Sequence, residues 1–216
     1  MKITNLFAVP IAEFRMENPD AFCDELRRLF VAKAAQGGQY RYDIRRDTQK
    51  GDLFESSFDL YSWPDPPVRK LASFVDERLH EAIYALSDYT REEFDELRFE
   101  YHAWFHVTRK GGFQGIHNHA NASWSGIFCI DPGDDVPGRP DSGIVYFHDP
   151  RANCNYYEDG GNARLRLPNA HGAFRVKHER GKLTLFPSYL LHEIFPYFGE
   201  RPRIIAPFNC WIRKPE

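Results

Sequence analysis

Between Phe99 and Ile212 the chain reads as a succession of short β-type segments, each closed by its own turn signal. Phe99 to Val107, Ser123 to Ile130, Ser142 to His148, Ala173 to Lys177, Lys182 to Phe186, Leu190 to Tyr197 and Arg203 to Ile212 are rich in aromatic and β-branched residues. Lys110-Gly111-Gly112, Pro132-Gly133-Asp134, Pro137-Gly138, Asp159-Gly160-Gly161, Arg180-Gly181 and Gly199-Glu200 separate them. No helical period interrupts this run. A parallel, doubly wound sheet needs βαβ alternation and is therefore excluded. An antiparallel sandwich or jelly roll is what such a pattern builds. No glycine-rich phosphate loop follows any of the segments.

Upstream the period changes from two to 3.6. Phe22, Leu26, Leu29, Phe30 and Ala34 mark one helix, with Asn18 as its cap, Pro19 as its first residue and Gly37-Gly38 as its end. Val68, Leu71, Val75, Leu79, Ala82, Ile83 and Leu86 mark a second, from Pro67 to Leu86. Both stripes read as core faces. Tyr40 to Pro66 is polar and aromatic, a loop with room for a short strand. The expected plan is one domain over 1–216. Its helical part, 1–95, packs on a core at 96–216, and that core is mainly β: a double-stranded β-helix, or jelly roll.

A chain of 216 residues with 15% aromatics can bury a sizeable core. Its net charge of −3 argues against a nucleic-acid or anionic-membrane binder. No apolar run is long enough to span a bilayer, and Met1 to Glu13 has no signal-peptide core. A cytoplasmic location is the expectation. Cys23, Cys129, Cys154 and Cys210 are scattered with no CxxC pair and are read as reduced.

The histidines carry the chemistry. In Gln114-Gly115-Ile116-His117-Asn118-His119 two imidazoles stand two residues apart. In an extended segment they project to one face, as two cis ligands of one metal ion. His192, in an apolar strand-like context, is the candidate third ligand. Three imidazoles suit iron, zinc, copper or nickel and leave positions open for small ligands. Arg203 opens the apolar run Arg203-Ile204-Ile205-Ala206-Pro207-Phe208 and wants an anionic partner, either a cosubstrate carboxylate or a protein Asp or Glu. His102 and His106, on the preceding strand, are outer partners of the ligands or solvent-facing residues. His148 belongs with a strand end, and His171 and His178 read as loop residues.

Taken in order, these pieces resemble the 2-oxoglutarate- and Fe(II)-dependent oxygenases, in their prolyl-hydroxylase-like branch. The similarity extends to a group of small bacterial and phage oxygenases. It rests on His117-Asn118-His119 with Asn121 and Ser125-Gly126, on Ser142-Gly143 before Phe147-His148-Asp149-Pro150-Arg151, on Phe186-Pro187-Ser188 with His192, and on Arg203 with Phe208-Asn209. It covers residues 97 to 213. The resemblance implies a double-stranded β-helix, Fe(II) and 2-oxoglutarate as cofactors, and O2-dependent oxidation with succinate and CO2 as coproducts. It matches His117 and His192 to the family's histidine ligands, and Arg203 to the residue that pairs with the distal carboxylate of 2-oxoglutarate.

Two positions depart from that pattern. His119 stands where the family has an acidic ligand, and Ile205 stands where many relatives place a serine beside the arginine. A second contact to the cosubstrate is therefore sought among Tyr101, Ser125 and Tyr146. Asp149-Pro150-Arg151 reads as a turn, or as a substrate-facing loop that presents Arg151 to an anionic group. Trp124 and Trp104 line a pocket or pack in the core, and Tyr156-Tyr157 lie in a candidate lid. The leading expectation is a hydroxylase-type oxygenase acting on a small molecule or a peptide, with oligomeric state and substrate undetermined. The alternatives are a three-histidine, cupin-like dioxygenase that needs no 2-oxoglutarate, and a non-enzymatic jelly-roll module with a structural metal.

Overall fold

The structure is a computed structural model that describes residues 1–151, 153–154 and 157–214. Two antiparallel sheets form its centre. The larger holds β1 (Ala12–Arg15), β10 (Lys182–Pro187), β7 (Trp124–Asp131), β12 (Arg203–Arg213), β5 (His106–Thr108) and β3 (Leu53–Glu55) in that order, with β4 (Arg98–Ala103) also paired to β12. The smaller runs β2 (Gln49–Lys50), β6 (Phe113–His117), β11 (His192–Ile194), β8 (Val145–Phe147) and β9 (Phe174–Val176). The expected jelly roll is the observed fold class.

Period-2 alternation sorts the strand residues into two apolar layers. Ile127, Phe186 and Ile205 from the larger sheet meet Val145, Phe147, Val176 and Ile194 from the smaller in one buried cluster between the sheets. Their neighbours Phe128, Ile130, Leu183, Leu185, Ile204, Ala206 and Phe208 point the other way. On that outer face lie α1 (Asp20–Ala35), through Phe22, Leu26 and Phe30, and α2 (Pro66–Leu86), through Val68, Leu71, Val75 and Leu79. Fully burying one such side chain contributes about 1.5–3 kcal/mol. A short helix α3 (Arg91–Asp95), closed by a Thr90–Glu93 capping box, leads into β4. No helix among the described residues is long and apolar enough to cross a membrane.

Gly126 explains one of the sequence motifs physically. A Cβ there would sit 2.5 Å from the Phe208 ring and 2.8 Å from Leu185, so any side chain would push β7 off its neighbours.

Some local expectations shift. Helix α1 begins after Pro19, which holds the cap position without a side-chain bond, and Asn18 lies outside it in the left-handed region at φ 46°. The first 95 residues are not only helical, because β1 and β3 extend the larger sheet and β2 the smaller. Cys23, Cys129 and Cys210 are buried thiols. Burial pushes Cys129 up to about 12, so it stays protonated.

Candidate metal centre and its surroundings

Strands β6 and β11 pair so that His117 stands directly opposite His192. Their ring centroids are 4.2 Å apart. His119 lies two residues past His117, held by its backbone N–H donating to the Ser188 carbonyl at 2.8 Å. Its ring is 5.1 Å from that of His117 and 5.4 Å from that of His192. One potential ligand atom from each residue lies within 4.8 Å of the others. The i, i+2 spacing thus does what extended backbone dictates, and a strand from the other end of the motif supplies the third ring.

Tautomers follow from the partners. The Nδ1 of His117 is 2.8 Å from the Gly115 carbonyl, and the Nδ1 of His192 is 2.9 Å from the Leu190 carbonyl. A carbonyl only accepts, so each Nδ1 carries the proton and each Nε2 presents a lone pair. His119 is held differently. Its Nδ1 lies 3.4 Å from the Asn209 side-chain amide, whose oxygen is 2.7 Å from Ser125 Oγ. Ser125 Oγ in turn shares a 2.7 Å hydrogen bond with Ser188 Oγ.

Burial lowers the pKa of all three imidazoles, and the neighbouring rings add to it for His119 and His192. His119 is brought down to about 3. At neutral pH the three rings are neutral bases, the state in which imidazole binds a metal. They border a cavity of about 20 Å³, room for one small ligand, whose walls include Trp104, His106, Gln114, Phe186 and Ile205.

Behind the cavity is a buried polar pair, of which sequence reading singled out His106 but not its partner Glu55. His106 Nε2 lies 2.8 Å from Glu55 Oε2 and 3.0 Å from the indole Nε1 of Trp104. Burial pushes the Glu55 carboxyl up, but the hydrogen bond and charge of His106, with Arg46, outweigh it and lower the pKa. Glu55 ends β3, in the segment read as a loop with room for a short strand, which offers no periodic signal to mark it. The rule that a buried histidine needs a partner was the one available clue.

Arg203 is 2% exposed, and its Nε and Nη2 have no hydrogen-bond partner among the described residues. Burial lowers its pKa to about 10, leaving it charged at neutral pH. A buried guanidinium with unmet donors suits a carboxylate with two acceptor oxygens.

The three candidates for the second cosubstrate contact lie elsewhere or are engaged. Tyr101 donates to Asp76 of α2 at 2.7 Å, on the outer face of the larger sheet. Ser125 borders the cavity, but its hydroxyl is taken up by Ser188 and Asn209. Tyr146 stacks on Phe195, 5.3 Å between centroids, on the outward side of β8. Trp124 packs against the helix-side core, away from the triad. Arg151 is paired with Asp149, Nε to Oδ1 at 2.9 Å and Nη2 to Oδ2 at 2.6 Å, beside a separate cavity of about 360 Å³. Tyr156 falls outside the described residues. His102 stacks edge-on against Trp211 at 4.7 Å.

Similar proteins share this architecture. The chain aligns with a prolyl-4-hydroxylase from Pseudomonas putida at 15% identity, covering 95% of this chain and 93% of that one, with a TM-score of 0.59. A prolyl hydroxylase from Trichoplax adhaerens, solved with a hypoxia inducible factor peptide fragment, gives 11% identity, coverage of 93% and 83%, and a TM-score of 0.61. HygX from Streptomyces hygroscopicus, solved with nickel and 2-oxoglutarate, gives 13%, 94% and 83%, and 0.57. No curated protein matches the chain. A model of the 2OG-Fe(II) oxygenase family matches residues 102–209, which include His117, His119, His192 and Arg203. The chain therefore belongs to the 2OG-Fe(II) oxygenases, enzymes whose cofactors are Fe(II) and 2-oxoglutarate.

Proposed function

We propose that His117, His119 and His192 hold the Fe(II) through their Nε2 atoms, and that Arg203 receives the distal carboxylate of 2-oxoglutarate, in an oxygenase of hydroxylase type. The observation that carries this reading is the convergence of three neutral imidazoles on one small cavity. Three nitrogen donors leave open coordination positions, as this chemistry needs. The unmet donors of Arg203 are the counterpart for the oxo acid, and they favour this reading over a dioxygenase that takes no 2-oxoglutarate. With the two cofactors bound, the centre couples O2 reduction and decarboxylation of the oxo acid to oxidation of a substrate C–H bond.

The chain's own contribution is binding, orientation and exclusion of water. The Gly115 and Leu190 carbonyls fix two ring tautomers, and Asn209 addresses the third ring. Trp104, Phe186 and Ile205 wall the cavity and keep its dielectric low. The substrate is a small molecule or a peptide. The separate cavity of about 360 Å³ supports an apolar substrate group, because two of its walls, Phe147 and Leu190, also adjoin His192. Asp149 already balances the charge of Arg151, so shape rather than charge would select the substrate there. The helical part and the β core act as one unit in this reading, supported by the burial of both helices on the larger sheet.

The test is an anaerobic titration of apoprotein with Fe(II) and then 2-oxoglutarate, followed by the visible charge-transfer band of the chelate. The expected result is a band that disappears when O2 is admitted. Iron binding with no band would overturn the placement of 2-oxoglutarate at this centre.

A further inference from the structure

His178 follows β9 and is 5% exposed, not the open loop residue that its Lys177–Glu179 neighbourhood suggests. Its Nε2 is buried with no hydrogen-bond partner among the described residues. It lies near enough to Arg203 for the guanidinium charge to act on its ring. Val145 pairs with Val176 and Tyr146 with Arg175. That pairing ends at Val145–Val176; His178, two residues past Val176, is buried like it, and Gly143 lies in the turn that leads into β8. At Gly143, a Cβ would stand 3.2 Å from Arg203 Cδ and 3.5 Å from its Nε. The residue has φ +65°, where a side chain is strained in any case. Gly143 thus leaves the room that the Arg203 side chain occupies.

Two buried nitrogen-bearing side chains lie near each other, and neither finds an acceptor for the atoms named among the described residues. Leaving both unmet would cost the full desolvation of each group. One carboxylate, with about four lone-pair sites, satisfies both. The charges also fit. Burial and the adjacent Arg203 pull His178 well below the ordinary imidazole range, so it is neutral at pH 7. One positive charge then meets one negative charge, with the imidazole adding a neutral N–H.

We infer that His178 is the second hydrogen-bond donor to the distal carboxylate of 2-oxoglutarate, in the role left open by Ile205 and assigned in the sequence reading to Tyr101, Ser125 or Tyr146. This makes His178 a determinant of cosubstrate selectivity, and it rests on the placement of 2-oxoglutarate against Arg203 proposed above.

The experiment measures binding to the anaerobic Fe(II) protein by the charge-transfer band, with isothermal titration as a second readout. Two probes are used: 2-oxoglutarate, and 2-oxopentanoate, which has the same chain length and no distal carboxylate. His178→Leu is expected to weaken 2-oxoglutarate roughly ten- to hundredfold, the scale of a lost hydrogen bond to a charged group. The same variant should bind 2-oxopentanoate as the wild type does. His178→Gln, which keeps an N–H donor, should recover most of the loss and guards against a variant that merely folds poorly. Unchanged 2-oxoglutarate affinity in His178→Leu, or equal losses for both probes, would overturn the inference. Failure of the underlying reading looks different: Arg203→Met would then bind 2-oxoglutarate as tightly as the wild type.

Discussion

His117 and His192 face each other across the β6–β11 pair, in register and with ring centroids 4.2 Å apart. Each donates its Nδ1–H to the carbonyl two residues earlier, so both rings are fixed by backbone and not by a side chain that could rotate away. This symmetry preorganises two of the three nitrogens proposed to hold the metal.

His192→Ala tests that preorganisation. The variant is expected to lose Fe(II) affinity by at least about a hundredfold, since removing only the partner of a ligand already costs roughly 10–100-fold. His192 packs against Phe147 and Phe186, so the truncation also leaves a cavity in the layer between the sheets. Thermal melts of the apoprotein separate the two effects: a drop of about 1–3 kcal/mol in stability with the fold retained is expected.

Asn209 sets the third ring. Its amide nitrogen faces His119 Nδ1 and its oxygen faces Ser125 Oγ. A metal-bound His119 needs Nδ1–H directed at an acceptor, which the amide oxygen supplies once the amide turns over and Ser125 becomes the acceptor of the amide N–H. Asn209→Leu removes both options. Fe(II) affinity is expected to fall by roughly 10–100-fold. In a His119→Ala background the same substitution should have little further effect, because the coupling runs through that ring. Equal losses in both backgrounds would detach Asn209 from the centre.

How much of this was readable in advance depended on the range of the signal. The His117–His119 pair was legible because side-chain direction alternates locally, and Arg203 because a charge opening an apolar run is conspicuous. The fold class was legible from turn spacing. The surroundings of Tyr101, Ser125 and Tyr146 were not, because they depend on which face of which sheet a residue occupies. Tyr101 lies on a strand paired residue by residue with β12, yet parity turns it outward to Asp76. His178 looked exposed because charged neighbours flank it, yet the chain just past β9 is buried there. Glu55 lay in a segment without period, where nothing local announces a buried carboxylate.

Acid should loosen the apoprotein through the triad. The three imidazoles have folded pKa values below 6.5, with His119 at about 3. The unfolded chain therefore binds protons that the folded chain does not. Stability from these groups is present above about pH 6.5 and is lost as pH falls toward about 3. Urea unfolding of apoprotein between pH 7.5 and pH 4 is expected to show a falling midpoint over that range, with the slope against pH reduced in His119→Gln. A midpoint independent of pH would mean that the rings are already solvated in the folded chain.

The Glu55–His106 pair gives the last test. Both side chains are buried, at 4% and 3% exposure, and Glu55 Oε1 has no partner among the described residues. His106→Leu would leave a buried carboxylate behind the cavity, with Arg46, 3.8 Å away, as its remaining charged neighbour among the described residues. Breaking a buried pair from one side costs about 3–5 kcal/mol. The double variant His106→Leu with Glu55→Gln removes the charge as well, and should recover part of that loss. The pH dependence carries its own signature. The folded pKa of Glu55 is lowered, so its contribution in the wild type is present above the unfolded carboxylate range and is lost as pH falls through it. In the double variant that component is absent, and the comparison of urea midpoints above and below pH 4.5 isolates it. A His106→Leu variant as stable as the wild type at pH 7 would show that water reaches Glu55 and that the layer behind the histidine cluster is wet.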